Sequence, residues 1–146
     1  MSALARVTDA PTPSYVLLAG DVAHHPAILR PSPLMPLPST RRESLPDPLK
    51  PVGFPSYTHP FLHPGSNAHA HDALAVLTLQ GLLAFDGRDD VLLVLAHDSS
   101  LGGVVQTFPQ EMNKWMTSAW KEKAFWAFLD DGNPGNRWSG VEGDNK

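Results

Sequence analysis

Val91-Leu-Leu-Val-Leu-Ala96 is the clearest structural signal in the sequence, with six consecutive apolar residues between the polar segments Arg88-Asp-Asp90 and His97-Asp98. The run is too short for a helix, and it lacks the apolar–polar alternation of a half-exposed strand. It therefore predicts a strand that is buried on both faces, as strands are in sheets covered by other layers.

A second short apolar run is Tyr15-Val-Leu-Leu-Ala19, which follows Pro11 and Pro13 and ends at Gly20-Asp21. Its length and the turn residues at both ends predict another buried strand that leads into a turn. The two predicted strands thus span 15–19 and 91–96.

Two helices are predicted beside these strands. Residues 67–85 are rich in apolar residues that favour helix, and Gly87 offers a stop, so we expect a helix that is apolar on most sides and well buried. Residues 110–129 carry apolar side chains mostly at three- and four-residue steps after Pro109, which suits a first helical turn. The elements together predict an α/β (α+β) fold.

Prolines are concentrated in one part of the chain. Residues 26–64 contain 11 of the 15 prolines, so this segment is predicted to be a long loop without helix or inner strand. Residues 130–146 are rich in Gly, Asn and Asp and are predicted to be a flexible tail. Residues 1–129 then form one domain, the number that 146 residues allow.

Composition excludes several classes of partner and site. With 11 basic and 15 acidic side chains and no block of one sign, nucleic acid and anionic membrane surfaces are not expected partners. Without cysteine, a metal site has to use His, Asp or Glu. No secretory signal and no apolar stretch of about 20 residues is visible, so we expect a cytoplasmic protein without a membrane span.

Both predicted strands deliver a metal-competent side chain just past their last buried residue, Asp21 in one case and His97 in the other. Carboxylate and imidazole together suit zinc, iron or manganese, and a carboxylate can bridge two metal ions in a hydrolytic site. On spacing alone, a turn-capping Asp and a structural His are the more common explanation. Both interpretations stay open at this level.

A resemblance to a known family favours the metal. The chain resembles a fungal branch of the metallo-β-lactamase-like hydrolases, in which a Gly-Asp turn is followed by a His pair and Arg-Pro, and a later strand ending in Ala-His-Asp precedes a helix with Asn-x-Trp. The matching segments, between about Leu4 and Leu129, are Leu4-Ala-Arg-Val7, Tyr15-Val-Leu-Leu-Ala-Gly-Asp21, His24-His25, Arg30-Pro-Ser32, Ala96-His97-Asp98, Asn113-Lys-Trp115, Trp120-Lys121 and Trp126-Ala-Phe-Leu129.

The resemblance implies roles for single residues. Asp21 would be the carboxylate that bridges two zinc ions, and His97 the late histidine ligand. Some lactonases of this fold have a tyrosine three residues after the bridging aspartate, where it assists the substrate carbonyl. His24 holds that offset here, so it either contacts a substrate oxygen or is a histidine of the loop. Ala27 and Ile28 depart from the Gly and acidic residue that the family commonly has there.

Three further residues of the matching segments, Asp98, Arg30 and His25, have a weaker case for chemistry than Asp21 and His97. Asp98 either orients His97 or caps the turn, and the cap is the preferred reading. Arg30 is expected to pair with a nearby carboxylate in a structural role. His25 has the weakest case for a role in the site.

The family's H-x-H-x-D-H motif, which binds both metals, has no counterpart before Asp21. His69-Ala-His71-Asp72 does not replace it, because Ala73 and Leu74 stand where Asp and His are needed, and residues two apart do not share a helix face. Two ligands cannot build a dinuclear site, since a catalytic zinc usually has three protein ligands and a water.

The sequence thus predicts the C-terminal portion of an αββα sandwich, with a metal-dependent hydrolase as the complete enzyme. Its substrate would be a small ester, lactone or lactam. We expect the chain to be truncated and inactive alone, and we do not expect a stable monomer, because a divided sandwich exposes sheet edges and faces. The alternatives are a non-catalytic remnant and an interaction protein that uses the proline-rich segment, where Pro33-Leu-Met-Pro36 has P-x-x-P spacing.

Overall fold

The computed structural model describes residues 1–7, 12–43, 45, 57–64, 71–107 and 109–130. Within these ranges the strands are β1 (Ala3–Val7), β2 (Ser14–Gly20) and β3 (Val91–Leu95), and the α-helices are α1 (Ser39–Arg42), α2 (Asp72–Asp86) and α3 (Trp120–Ala124). Short 3₁₀ helices lie at Pro26–Ile28, Ser99–Leu101, Met112–Lys114 and Ala127–Leu129. The described chain is therefore a mixed α+β structure, as its sequence predicts.

The strands form one sheet in the order β1-β2-β3, with β2 antiparallel to β1 and parallel to β3. Leu17 in the centre of β2 lies opposite Leu93 of β3 and Leu4 of β1. The two strands predicted from apolar runs are confirmed to within one residue at each end. β1 was not predicted, because four of its five residues are exposed and carry no buried pattern.

One face of the sheet packs against α2. Leu17 and Ala19 of β2 lie on the same face of the sheet as Leu93 of β3. They pack with Leu79 and Leu82 of α2 in one buried cluster. Side chains two residues apart share a face of a strand, so a continuous apolar run serves both faces of the sheet. α2 lies between the two parallel strands in the chain, as a crossover connection requires.

The opposite face is covered only in part. Val16 and Leu92 are buried there against Trp115 and Trp120. Leu18 lies two residues after Val16 on the same face, yet 44% of it is exposed. Its partner Val94 on β3 is packed against the same cluster as Trp115, so the incomplete cover is at Leu18 itself.

The prediction that α2 is well buried is wrong. Leu74 and Leu77 are 60% and 62% exposed, and the buried residues of the helix are Leu79, Leu82 and Asp86. A helix that rests on a sheet buries a single face, and no described element covers the other one. α2 begins at Asp72 after the extended His71, whereas the helix was predicted from residue 67, and residues 67–70 lie outside the described part.

The predicted continuous helix at 110–129 is also wrong. The segment consists of two 3₁₀ helices and the five-residue α3, and Ala119 adopts a left-handed backbone with φ 53° just before α3. The physical reason is that its aromatic side chains enter two separate clusters. Trp115 and Trp120 pack on the sheet, whereas Phe125 and Phe128 pack with the proline-rich segment.

The described parts of the proline-rich segment are a packed layer. Ala27 and Leu37 are almost fully buried with Phe128, and the short α1 contradicts the prediction that the segment holds no helix. Ser32 and Met35 exchange two backbone hydrogen bonds of 3.0 and 3.1 Å, whereas an extended polyproline ligand has none. The P-x-x-P stretch is therefore a folded turn.

The two remaining predictions concern a flexible tail at 130–146 and a membrane-spanning helix, which was not expected. The predicted tail lies outside the described residues except for Asp130, which forms an ion pair with Arg41. Among the helices of the described ranges, none has the length and apolar character needed to cross a membrane.

Candidate functional site

The site is built where β2 and β3 end. These strands are parallel neighbours, so their carboxyl ends meet at one edge of the sheet, and the N–H of Ala96 donates to the carbonyl of Gly20 at 3.0 Å. Asp21 follows Gly20 directly, and His97 follows Ala96. Nε2 of His97 lies 3.0 Å from Oδ1 of Asp21.

His24 joins this pair. Its Nε2 lies 2.8 Å from the same Oδ1 of Asp21, and its ring meets the ring of His97 edge-on with the centroids 5.0 Å apart. The three side chains are open to solvent, with exposed fractions of 65% for Asp21, 55% for His24 and 58% for His97. The structure thus brings together all three residues that the sequence singled out for chemistry.

Local sequence explains the turn that carries Asp21 and His24. Gly20 has φ +63°, a left-handed conformation that glycine adopts without strain, and an added Cβ would lie 2.8 Å from the carbonyl oxygen of Met1. Ala23 is buried in the core beneath the sheet. The backbone is therefore fixed on both sides of Asp21, while the side chains of Asp21 and His24 face outward.

His25 points away from the site. Its Nδ1 accepts a hydrogen bond of 3.1 Å from the N–H of Ala27 and caps the 3₁₀ helix Pro26–Ile28, and its ring packs edge-on against Phe128 at 5.6 Å. The adjacent histidines therefore differ in environment, and His25 has a structural role.

Asp98 caps the turn after β3. Its Oδ1 accepts hydrogen bonds from the N–H of Ser100 at 3.0 Å and from the hydroxyl of Ser100, at the start of the 3₁₀ helix Ser99–Leu101. This contact agrees with the capping interpretation. Asp98 thereby fixes the backbone that follows His97.

Arg30 has the structural role expected of it, and its partner is Asp86. Nε and Nη2 of Arg30 donate to the two carboxylate oxygens at 2.9 and 2.8 Å, Nη1 donates to the carbonyl of Phe125 at 2.9 Å, and the guanidinium lies 3.7 Å from the centre of the Phe125 ring. Both charged side chains are buried. The pair ties the segment after the site to the end of α2.

Lys121 extends this network, although the sequence, where it belongs to a matching segment, gave it no role. Its Nζ donates to the carbonyls of Asp86 at 2.8 Å, Val91 at 3.0 Å and Arg88. Burial lowers the pKa of Lys121, and the negative charge of Asp86 opposes that shift. The sequence gives no signal for these contacts, because a buried lysine in an amphipathic segment has the same sequence context as a lysine exposed to solvent.

The donor set at the sheet edge suits a metal ion. One carboxylate oxygen and two imidazole nitrogens, from Asp21, His24 and His97, all lie within 4.8 Å of one another. These are the donor types that zinc accepts in a site without cysteine. No other such group of three His, Asp or Glu side chains occurs in the part of the chain that the structure describes.

His71, considered with the rejected His69 motif, precedes α2, and His69 itself lies outside the described residues.

Comparisons with known proteins find similarity to two proteins with hydrolase names and to one that is named a monooxygenase. A gamma-lactamase of Fusarium pseudograminearum is 38% identical over 149 residues, covering 92% of this chain and 35% of that protein. A metallo-hydrolase of Annulohypoxylon moriforme is 33% identical over 143 residues, covering 92% of the chain and 37% of the relative. A cytochrome P450 monooxygenase, mpaDE, of Penicillium roqueforti is 35% identical over 131 residues, covering 90% and 14%.

The chain thus spans about a third of the length of the gamma-lactamase and of the metallo-hydrolase, and less of the monooxygenase. No family model and no solved structure matches it. The resemblance found in the sequence is confirmed by these relatives over nine-tenths of the chain.

Proposed function

Because this chain belongs to the metallo-β-lactamase-like hydrolase superfamily, we propose that it supplies Asp21 and His97 as ligands to the metal site of a hydrolase. The observation that carries the proposal is the 3.0 Å approach of His97 Nε2 to Asp21 Oδ1 at the shared edge of two parallel strands. The proposed substrate is a small molecule with an ester, lactone or lactam carbonyl.

The chemistry follows from what these residues hold. When bound, zinc supplies Lewis acidity and lowers the pKa of a water molecule, which is the nucleophile that carbonyl hydrolysis needs. Asp21 provides the negative charge that attracts the cation. His97 fixes the cation's position relative to the sheet, because the backbone on both sides of His97 is held by β3 and by the Asp98 cap.

The proposed role of the fold is to form one part of an αββα sandwich, its C-terminal portion. The support is the exposed Leu18 on the sheet face opposite α2, since apolar surface of a sheet is usually covered by another layer. A second layer placed there would also come close to the ends of β2 and β3, where Asp21 and His97 lie.

The complete catalytic site needs more ligands than this chain provides. We propose that these come from protein corresponding to the remaining two-thirds of the gamma-lactamase and metallo-hydrolase, where the family resemblance implies the H-x-H-x-D-H motif. By itself the chain is then inactive toward these substrates. Neither nucleic acid nor a membrane has a part in the proposed function.

A chimera tests this function. In the chimera, this chain replaces the aligned third of the Fusarium gamma-lactamase. Hydrolysis of γ-lactams, γ-lactones and esters is measured for the chimera and, separately, for the isolated chain, both with zinc added. We expect activity in the chimera and none in the isolated chain. Asp21→Ala and His97→Ala should each lower the rate more than about 100-fold, since even residues behind the ligands contribute 10- to 100-fold.

His63→Ala is the matched control, because His63 is an exposed histidine outside the cluster. A chimera that folds and binds zinc but hydrolyses none of the three substrate types would contradict the proposed activity. That result would favour a non-catalytic remnant.

A further inference from the structure

We propose that His24 is a metal ligand, and that Asp21, His24 and His97 together allow this chain alone to hold one zinc ion. The inference rests on the proposed function for Asp21 and His97 and adds a third ligand to them. It also replaces the two alternatives that the sequence left for His24, a contact with a substrate oxygen and a histidine of the loop without a role in the site.

The first step is the convergence of the donor atoms. Nε2 of His24 and Nε2 of His97 approach the same carboxylate oxygen of Asp21, at 2.8 and 3.0 Å. Zinc bonds of about 2.0 to 2.2 Å in a tetrahedral arrangement place neighbouring ligand atoms roughly 3.3 Å apart. The two short contacts therefore need to open by only a few tenths of an ångström to admit the ion.

The second step concerns the direction of the His24 ring. A histidine that contacts a substrate oxygen has to reach past the metal, toward the carbonyl that is attacked. The ring nitrogen of His24 lies instead at the carboxylate oxygen itself, and its ring lies edge-on to that of His97. This geometry matches a ligand position better than a position beyond the ligands.

The third step is that the backbone holds the three residues in place before any ion binds. Asp21 and His24 belong to one turn, which is anchored by the buried Ala23 and by the His25 cap. His97 follows β3, which is hydrogen bonded to that turn through Gly20 and Ala96. Little conformational freedom of the backbone is then lost on binding, which favours affinity.

The fourth step is access and stoichiometry. The three side chains are more than half exposed, so an ion can enter from solvent and keep a water molecule in the fourth position. Three ligands satisfy one zinc ion. The expected product is a mononuclear site, which lacks the second metal that the complete family site would hold.

The test is metal binding by the full chain, with zinc and cobalt(II) as probes. Titration calorimetry and elemental analysis should give one equivalent of zinc in the unmodified chain. Asp21→Ala, His24→Ala and His97→Ala should each weaken binding at least about 10-fold, while His63→Ala leaves it unchanged. Zinc should also shift the ¹⁵N resonance of His24 Nε2, and cobalt(II) should give the visible absorption of a four-coordinate site.

Loss of folding can be separated from loss of a ligand. His24 is exposed, so the melting temperature of metal-free His24→Ala should lie within about 3 °C of the unmodified chain. The unmodified chain should in turn melt at a higher temperature when zinc is added, because an ion that binds only the folded state stabilises it.

The outcomes distinguish the two proposals. If His24→Ala binds zinc like the unmodified chain while Asp21→Ala and His97→Ala do not, the role of His24 is overturned and the proposed function stands. If the unmodified chain takes up no zinc, the inference is overturned and the chimera still decides the proposed function. If all three variants bind zinc like the unmodified chain, both ligand assignments are wrong.

Discussion

Arg30 and Asp86 form a two-point hydrogen bond in the interior of the protein, between residues that lie 56 positions apart in the chain. Breaking a buried pair by removing one charge usually costs about 3 to 5 kcal/mol, because the other charge stays buried without its partner. We therefore expect Asp86→Asn to lower the free energy of unfolding by about that amount, as measured by urea denaturation.

The exposed pair of Arg88 and Asp90 provides the control for that experiment. Its side chains are in contact at 2.7 Å but lie at the surface, where ion pairs contribute little. Asp90→Asn should leave the urea midpoint almost unchanged. Equal losses in Asp86→Asn and Asp90→Asn would refute the structural role of the buried pair.

Gly20→Ala should destabilise the turn that carries Asp21. The substitution forces a left-handed backbone on alanine and places a Cβ 2.8 Å from the Met1 carbonyl oxygen, so a loss of about 1 to 2 kcal/mol is expected from the backbone alone. Gly81→Ala is the matched control in α2. Apart from the adjoining residues and backbone of its own helix, nothing would lie within 4 Å of its Cβ, and alanine favours helix by about 0.5 to 1 kcal/mol, so this variant should be more stable. A higher melting temperature for Gly20→Ala together with a lower one for Gly81→Ala would contradict the described turn.

The uneven burial of α2 predicts different costs for its leucines. Leu82 is buried against the sheet, so Leu82→Ala should lower the free energy of unfolding by about 2 to 5 kcal/mol. Leu77 is 62% exposed, and Leu77→Lys should change stability by no more than about 0.5 kcal/mol while raising solubility. A large loss for Leu77→Lys in chemical denaturation would mean that this face of α2 is covered in solution.

Lys121 should make stability rise with pH in the alkaline range. Its pKa is lowered in the folded state by burial, so between that value and the ordinary value of about 10.4 the unfolded chain binds more protons than the folded chain. Stability then increases with pH through this window, by at most about 1.4 kcal/mol per pH unit for one proton.

The measurement is the urea midpoint at a series of alkaline pH values. Lys121→Met removes the titrating group and should abolish the rise, although it leaves three carbonyls without their donor. Lys123→Met is the control, since the ammonium of Lys123 is exposed and donates to Ser118. If the pH dependence persists in Lys121→Met, another group is responsible for it.

Local patterns along the chain were enough to predict the inner strands and the metal-competent residues at their ends. Continuous apolar runs of five or six residues are local signals, and the turn residues that follow them place Asp21 and His97 without knowledge of the rest of the chain. The cap by Asp98 was also the preferred expectation, because a short acidic side chain after a strand bonds to nearby backbone N–H groups.

How these parts meet follows from the folded arrangement of the strands and turns. The parallel pairing of β2 and β3 brings Asp21 beside His97, and the turn after Gly20 directs His24 to the same oxygen while His25 turns to Phe128. The tertiary structure also divided the predicted 110–129 helix and left one face of α2 exposed. These features depend on contacts between residues that are distant in the chain. Periodicity along the chain shows only which residues are apolar, whereas tertiary packing determines which of them are buried.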